Sequence, residues 1–238
     1  MLINKKVVLC LGFSALTNIL GNAAEKPNVL FISIDDLNDY VGCLDGAIDA
    51  YTPNIDKLAS QGALFTNAHC QAPICGPSRA SIMTGLYPST SGNYLQLKDE
   101  HIKLANEKTR KSVFMPDYFE QYGYKTFAVG KVFHKGDDAK AFDEYGGGFD
   151  WFGPKPEERI NYDPRELPDK EGNTSTDWGA FPEHDSLMSD YKVAEYAINK
   201  LNAEMNDPFF LAVGFFKPHV PWYTPQKWLD MFPLDEIQ

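Results

Sequence analysis

Apolar and polar positions fall in blocks along this chain, and each block has a period. Residues 27–36, PNVLFISIDD, form a nearly unbroken apolar run rich in branched side chains that stops at two carboxylates, which predicts a buried strand. Residues 52–62, TPNIDKLASQG, predict a short helix with Thr52 as its cap, Pro53 at its first position and Gly62 beyond its end. Residues 63–69, ALFTNAH, read as a strand, and 77–85, PSRASIMTG, as a helix opened by Pro77 and closed by Gly85. A helix over MPDYFEQYG, ending at Gly123, precedes a strand over KTFAVG. The longest helical pattern is SLMSDYKVAEYAINKLNAE, and PFFLAVGFF after it is a buried strand. Strand and helix alternate, so the expected fold is α/β with a mostly parallel sheet flanked by helices.

Two stretches break the alternation. Residues 98–112, KDEHIKLANEKTRKS, are charged and read as a solvated face. Residues 149–185 mix Pro, Gly and aromatic residues without a period, as functional loops do.

Composition narrows the class. Hydrophobic content of 43% indicates an ordinary globular chain able to bury a sizeable core. The net charge of −11 argues against nucleic acid as a partner, because neutralising phosphates needs a basic face. The first 24 residues read as a secretory signal: Lys5 and Lys6, an apolar centre from Val7 to Leu20, then small residues for cleavage near Ala23 or Ala24. That centre, at about 14 residues, is too short to cross ~30 Å of hydrocarbon. Losing Lys5 and Lys6 would take the mature charge from −11 to −13. The expected location is an exported one: periplasmic, secreted or lysosome-like. No stable membrane span is expected. Of four cysteines, Cys43, Cys70 and Cys75 would remain, an odd number for an oxidising compartment. A Cys43–Cys70 bridge is open.

Candidate chemistry collects at a few positions. Asp35 and Asp36 sit at the carboxyl end of the first strand, where ligands gather in open α/β sheets. Adjacent carboxylates repel, so such a pair either holds a cation, calcium or magnesium by its hard oxygens, or caps a turn. In CQAPICGPSRASIMTG, Cys75 lies just ahead of a helix whose free N–H groups favour negative charge, with Arg79 one turn inside. A lone cysteine is ordinarily a small buried hydrophobe. A cysteine-phosphatase loop would place its arginine six positions on, not four. His134 and His219 are placed to donate or accept a proton or serve as structural histidines. Lys217 reads as a solvated lysine, and Trp151, Trp178 and Trp222 either stack on sugar rings or fill the core.

CGPSRASIMTG resembles the sulfatase signature, Cys-x-Pro-Ser-Arg followed by Thr-Gly, at Cys75, Pro77, Ser78, Arg79, Thr84 and Gly85. ISIDD, GKVFHKG at 130–136 and FFKPHVPW at 215–222 agree in order, the last two most like the iduronate 2-sulfatase branch. The resemblance implies an alkaline-phosphatase-like fold, cut short at the C-terminus, with residues 25–238 as the amino-terminal part of a catalytic domain. It implies hydrolysis of a sulfate ester on a sugar or polysaccharide. Cys75 would be oxidised to formylglycine by a maturation enzyme, and the aldehyde hydrate would attack sulfur with one hydroxyl and clear the sulfate by deprotonating the other. It implies Asp35, Asp36 and modified Cys75 as calcium ligands, Arg79 holding the hydrate and the metal end of the site, Lys131 and His134 on hydrate and sulfate oxygens, and His219 on the sulfate or leaving oxygen. Lys131 and His134 can converge only if the chain leaves its strand at Gly130. Two other readings stand beside this one: a phosphatase or phosphonate hydrolase of the same superfold, and an inactive protein that binds sulfated glycans.

Overall fold

The spine of the molecule is β5 (Phe209–Phe215), six of whose seven residues are buried. An apolar run without alternation needs cover on both faces, and β5 has it. It lies between β1 (Val29–Ile34) and β2 (Lys125–Gly130), with β3 (Glu144–Tyr145) outside β2, so the order is β1–β5–β2–β3 and every pairing is parallel. The structure is a computed structural model that describes residues 26–46, 50–96, 98–134, 140–148, 153–154, 160–161, 177–233 and 235. The segment expected to be a signal and Trp151 lie outside the described residues, as does most of 149–176.

Helices cover the sheet on both faces. On one, α2 (Cys75–Thr84) and α5 (Met115–Gln121) pack Ala80, Met83, Val132, Phe133 and Phe142 around Phe210. Phe119 of α5 stacks on Phe210 with ring centroids 4.3 Å apart and planes 6° from parallel. On the other face, Val193 and Ala197 of α6 (Ser189–Asn202) close over Val129, Leu211 and Val213. Each fully buried side chain of this size contributes roughly 1.5–3 kcal/mol. β1 differs from β5: at the sheet edge, its Leu30 and Ile32 remain 43% and 45% exposed.

Shorter elements complete the chain: α1 (Pro53–Gln61), α3 (Pro88–Ser91), α4 (Glu107–Lys111), α7 (Gln226–Leu229), and a second, two-stranded sheet of β4 (Trp178–Ala180) and β6 (Trp222–Thr224). Among the described residues no helix is long and apolar enough to cross a membrane.

Four sequence expectations need correction. Residues 63–69 are not a strand: Leu64 and Phe65 are exposed, and no neighbouring strand among the described residues pairs with them. Thr52 precedes α1, but its hydroxyl makes no cap; it accepts from Gly42 N–H and donates to Asp56, tying the helix to the loop before it. The charged stretch 98–112 is no simple solvated face. It folds into a 3-10 turn and α4, burying Asp99, Ile102 and Thr109, with Asn106 and Thr109 forming a capping box. Finally, α2 begins at Cys75 itself rather than near Pro77.

Candidate active site

The strand ends set the site. At the close of β2 and β5, Gly130 and Gly214 face each other in register. A Cβ on Gly130 would lie 2.1 Å from Gly214 O, and one on Gly214 2.1 Å from Lys131 O. Glycine is therefore required at both, and Gly130 leaves the strand with φ 75°. That exit sends Lys131 and His134 to one place. Asp35 continues the ladder through its N–H to Phe215 O (3.0 Å), and Asp36 then turns out at φ 58°, a left-handed conformation that aspartate tolerates.

Asp35 is the buried centre, 5% exposed. One carboxylate oxygen accepts from Arg79 Nη2 at 2.9 Å, and the other pairs with Lys131 Nζ. Burial works to raise the Asp35 carboxyl, but the two cations outweigh it and hold the group below the usual carboxylate range. Arg79 also donates to the carbonyls of Lys131 and Val132, the latter at 2.9 Å, while its Nε is buried with no partner among the described residues. Arg79, expected on the hydrate and on the metal end of the site, is turned toward Asp35 and the β2 exit.

Cys75 opens α2, its sulfur standing where the resemblance puts an oxygen nucleophile. Gln96 Nε2 donates to it at 3.1 Å, and His134 Nδ1 lies 3.4 Å away. Burial would raise this thiol; hydrogen bonds from His134, His219 and Gln96, with the Lys131 charge, bring it down to about 5. In return the sulfur raises His219, more than offsetting its burial. His219 Nε2 also lies 3.8 Å from Asp36 Oδ2 and 4.0 Å from Asp35 Oδ2. Asp35, Asp36, Cys70, Cys75 and Arg79 line one cleft of about 250 Å³. Cys43, Cys70 and Cys75 are all free thiols.

Three positioning groups escaped the sequence reading. Gln96 clamps Cys75 and also accepts Gly76 N–H at 3.0 Å; a Cβ on residue 76 would stand 2.2 Å from its Oε1. Asp99 accepts His134 N–H at 3.1 Å, and Asp190, in the first turn of α6, accepts the N–H groups of Phe216 (2.8 Å) and Lys217 (2.9 Å) ahead of His219. Asp190 alone carried a signal, as an acid opening a long helix. Lys217 is not solvated as expected: its Nζ donates to the carbonyls of His219 and Pro221, and burial lowers it to about 8.

The metal expectation finds donors of the right kind in too small a number. Asp35 and Asp36 offer hard oxygens, but calcium takes six to eight, and both Asp35 oxygens already face cations. Among the described residues, no three His, Cys, Asp or Glu side chains group to hold an ion.

Comparison with known proteins gives a consistent result. The family model described as Sulfatase matches residues 27–236. A protein named "Sulfatase" from Formosa agariphila is 47% identical over 219 residues, covering 90% of this chain and 43% of that relative. Human "Iduronate 2-sulfatase" is 34% identical over 242 residues, covering 99% of this chain and 42% of the relative. The chain therefore spans about two fifths of the length of these relatives. Among solved structures, a protein in the alkaline phosphatase superfamily from Vibrio parahaemolyticus superposes with a TM-score of 0.51 at 17% identity, covering 85% of this chain and 43% of that one, which supports the expected fold.

Proposed function

The chain belongs to the sulfatase family, and from that premise we propose that it carries the nucleophile-bearing part of an exported enzyme that hydrolyses sulfate esters on a sugar or polysaccharide. The observation that carries this reading is the convergence of Gln96, His134 and His219 on the residue-75 side chain, above a floor made of Asp35, Arg79 and Lys131.

One carboxylate between two cations leaves that floor with an excess positive charge. Sulfate-ester oxygens shield sulfur with negative charge, so fixed cations stabilise what develops as attack proceeds. The Cys75 thiol is made acidic chiefly by the hydrogen bonds of His134, His219 and Gln96, with the Lys131 charge a smaller contribution. In the active protein, residue 75 is formylglycine made by a maturation enzyme, and its hydrate supplies a nucleophile that clears itself of sulfate. Asp35 and Asp36, with the modified residue 75, would contribute to a calcium site that adds positive charge there. Gln96 orients residue 75 through its carboxamide, and Gly76 leaves room for it. His134 and His219 hold or move a proton beside it, their rings set by Asp99 and by Asp190 through the backbone. Similarity to iduronate 2-sulfatase along 99% of the chain supports a sulfated uronic acid or a related sugar as the substrate class.

The test is to express the full-length protein with a formylglycine-generating enzyme, weigh the peptide containing residue 75 and measure sulfate release from p-nitrophenyl sulfate. Formylglycine with turnover that Cys75→Ala abolishes is the expected result. An intact thiol and no sulfate release would overturn the proposal, and preference for the matching phosphate ester would turn it toward the phosphatase reading.

A further inference from the structure

Outside the reaction cleft, the second sheet presents two large aromatic side chains to water. Trp178 and Trp222 are directly partnered in the parallel β4–β6 ladder, so they emerge side by side on one face. They are 51% and 57% exposed, whereas tryptophan is highly buried on average. Tyr223, next along β6, points the other way and is 1% exposed.

The backbone beneath the two indoles is held by polar contacts. Asp177 is fully buried and accepts the N–H groups of Ile160 (3.0 Å), Asn161 (3.0 Å) and Trp178 (2.9 Å), together with the Tyr223 hydroxyl. Trp222 N–H donates to Asp177 O at 2.7 Å, and Asn161 Nδ2 to Trp178 O at 2.6 Å. Two strands of three residues would not stay paired alone, and this hub holds them in place. A support of that kind under exposed aromatics is preorganisation, which lowers the ordering cost of binding.

Position links the pair to the cleft. The Trp222 indole N–H donates to Pro218 O at 2.9 Å, so the ring leans over the segment that carries His219. Charge selects the contact. These 238 residues carry a net charge of −11, so contacts indifferent to charge suit a sulfated sugar beyond the reacting ester. The apolar C–H face of a pyranose against an indole is such a contact.

We propose that Trp178 and Trp222 form a stacking platform for a pyranose ring of a sulfated oligosaccharide, next to the ring whose ester faces residue 75. The platform rests on the sulfatase reading and adds a preference for chains over single sugars.

The experiment uses the full-length, matured protein and its Trp178→Ala/Trp222→Ala and Trp222→Phe variants. The probes are p-nitrophenyl sulfate, which has no sugar, and disaccharides and hexasaccharides from dermatan sulfate, heparan sulfate and ulvan. The hexasaccharide-to-aryl-sulfate ratio of kcat/KM is expected to fall on the order of tenfold in the double variant, through KM. Trp222→Phe, which keeps a stacking face, should retain most of it. An unchanged ratio overturns the platform and spares the sulfatase reading, as does aryl-sulfate cleavage with no saccharide cleaved. Failure of the wild-type protein on every probe removes both. Dimerisation that the double variant loses, with the ratio unchanged, would assign the face to a second copy of the chain and overturn the proposal.

Discussion

Two buried carboxylates, Asp35 and Asp177, organise the two sheets in opposite ways. Asp35, at the end of β1, is matched by the cations of Arg79 and Lys131. Asp177, at the start of β4, is matched by three backbone N–H groups and a phenol, all neutral. Both sit below the usual carboxylate range despite burial. The first arrangement sets two cations against one carboxylate at the floor of a cleft that Asp36 also lines, and suits chemistry on an anion. The second leaves its negative charge dispersed over dipoles and builds a rigid corner. Burial and satisfied hydrogen bonds look alike in the two; the charge on the donors separates them.

Removing one side of each arrangement should break the comparison most sharply. Arg79→Ala leaves Asp35 with Lys131 alone and frees two buried carbonyls, so unfolding in denaturant is expected to show a loss of about 3–5 kcal/mol. Asp177→Ala strands only neutral donors. A loss of about 1–3 kcal/mol is expected, with faster hydrogen exchange in β6 and unchanged protection in β5. Equal losses, or exchange rising across both sheets, would erase the distinction.

The next effect is on reactivity. In unmodified protein, the rate of Cys75 alkylation by iodoacetamide should follow a titration near pH 5 instead of the ordinary thiol value. Gln96→Ala should move that midpoint upward. Gly76→Ala should do so as well, since its methyl group displaces the Gln96 carboxamide. A midpoint at the ordinary thiol value in the native chain would mean that the cation floor and the histidines do not act on residue 75.

The smallest effect is on stability against pH. Asp35 and Asp177 have folded values lowered from 3.8, so each contributes stability that is present above that value and is lost as pH falls through the lower folded one. Asp190, raised by burial, has the opposite sign: its contribution is present below 3.8 and is lost as pH rises through its folded value. Asp177→Asn should therefore flatten the acid limb, and Asp190→Asn the limb above it, in chemical denaturation followed across pH. Unaltered limbs in both would remove the assignment.

The amino-acid sequence was enough for β1, β2, β5, α1, α2, α5 and α6, because a continuous apolar run, a proline at a helix start or a glycine after its end acts over a few residues. Local position also singled out Cys75, Arg79, Asp35 and Asp36, and the family resemblance added Lys131, His134 and His219. Tertiary structure alone decided that Arg79 turns to Asp35, that Gln96 and Asp99 reach residues 75 and 134, that Lys217 is half-buried, and that residues 63–69 pair with no strand among the described residues. Those outcomes join positions far apart in the chain, and a hydrogen bond or strand ladder between them depends on packing that no local period encodes.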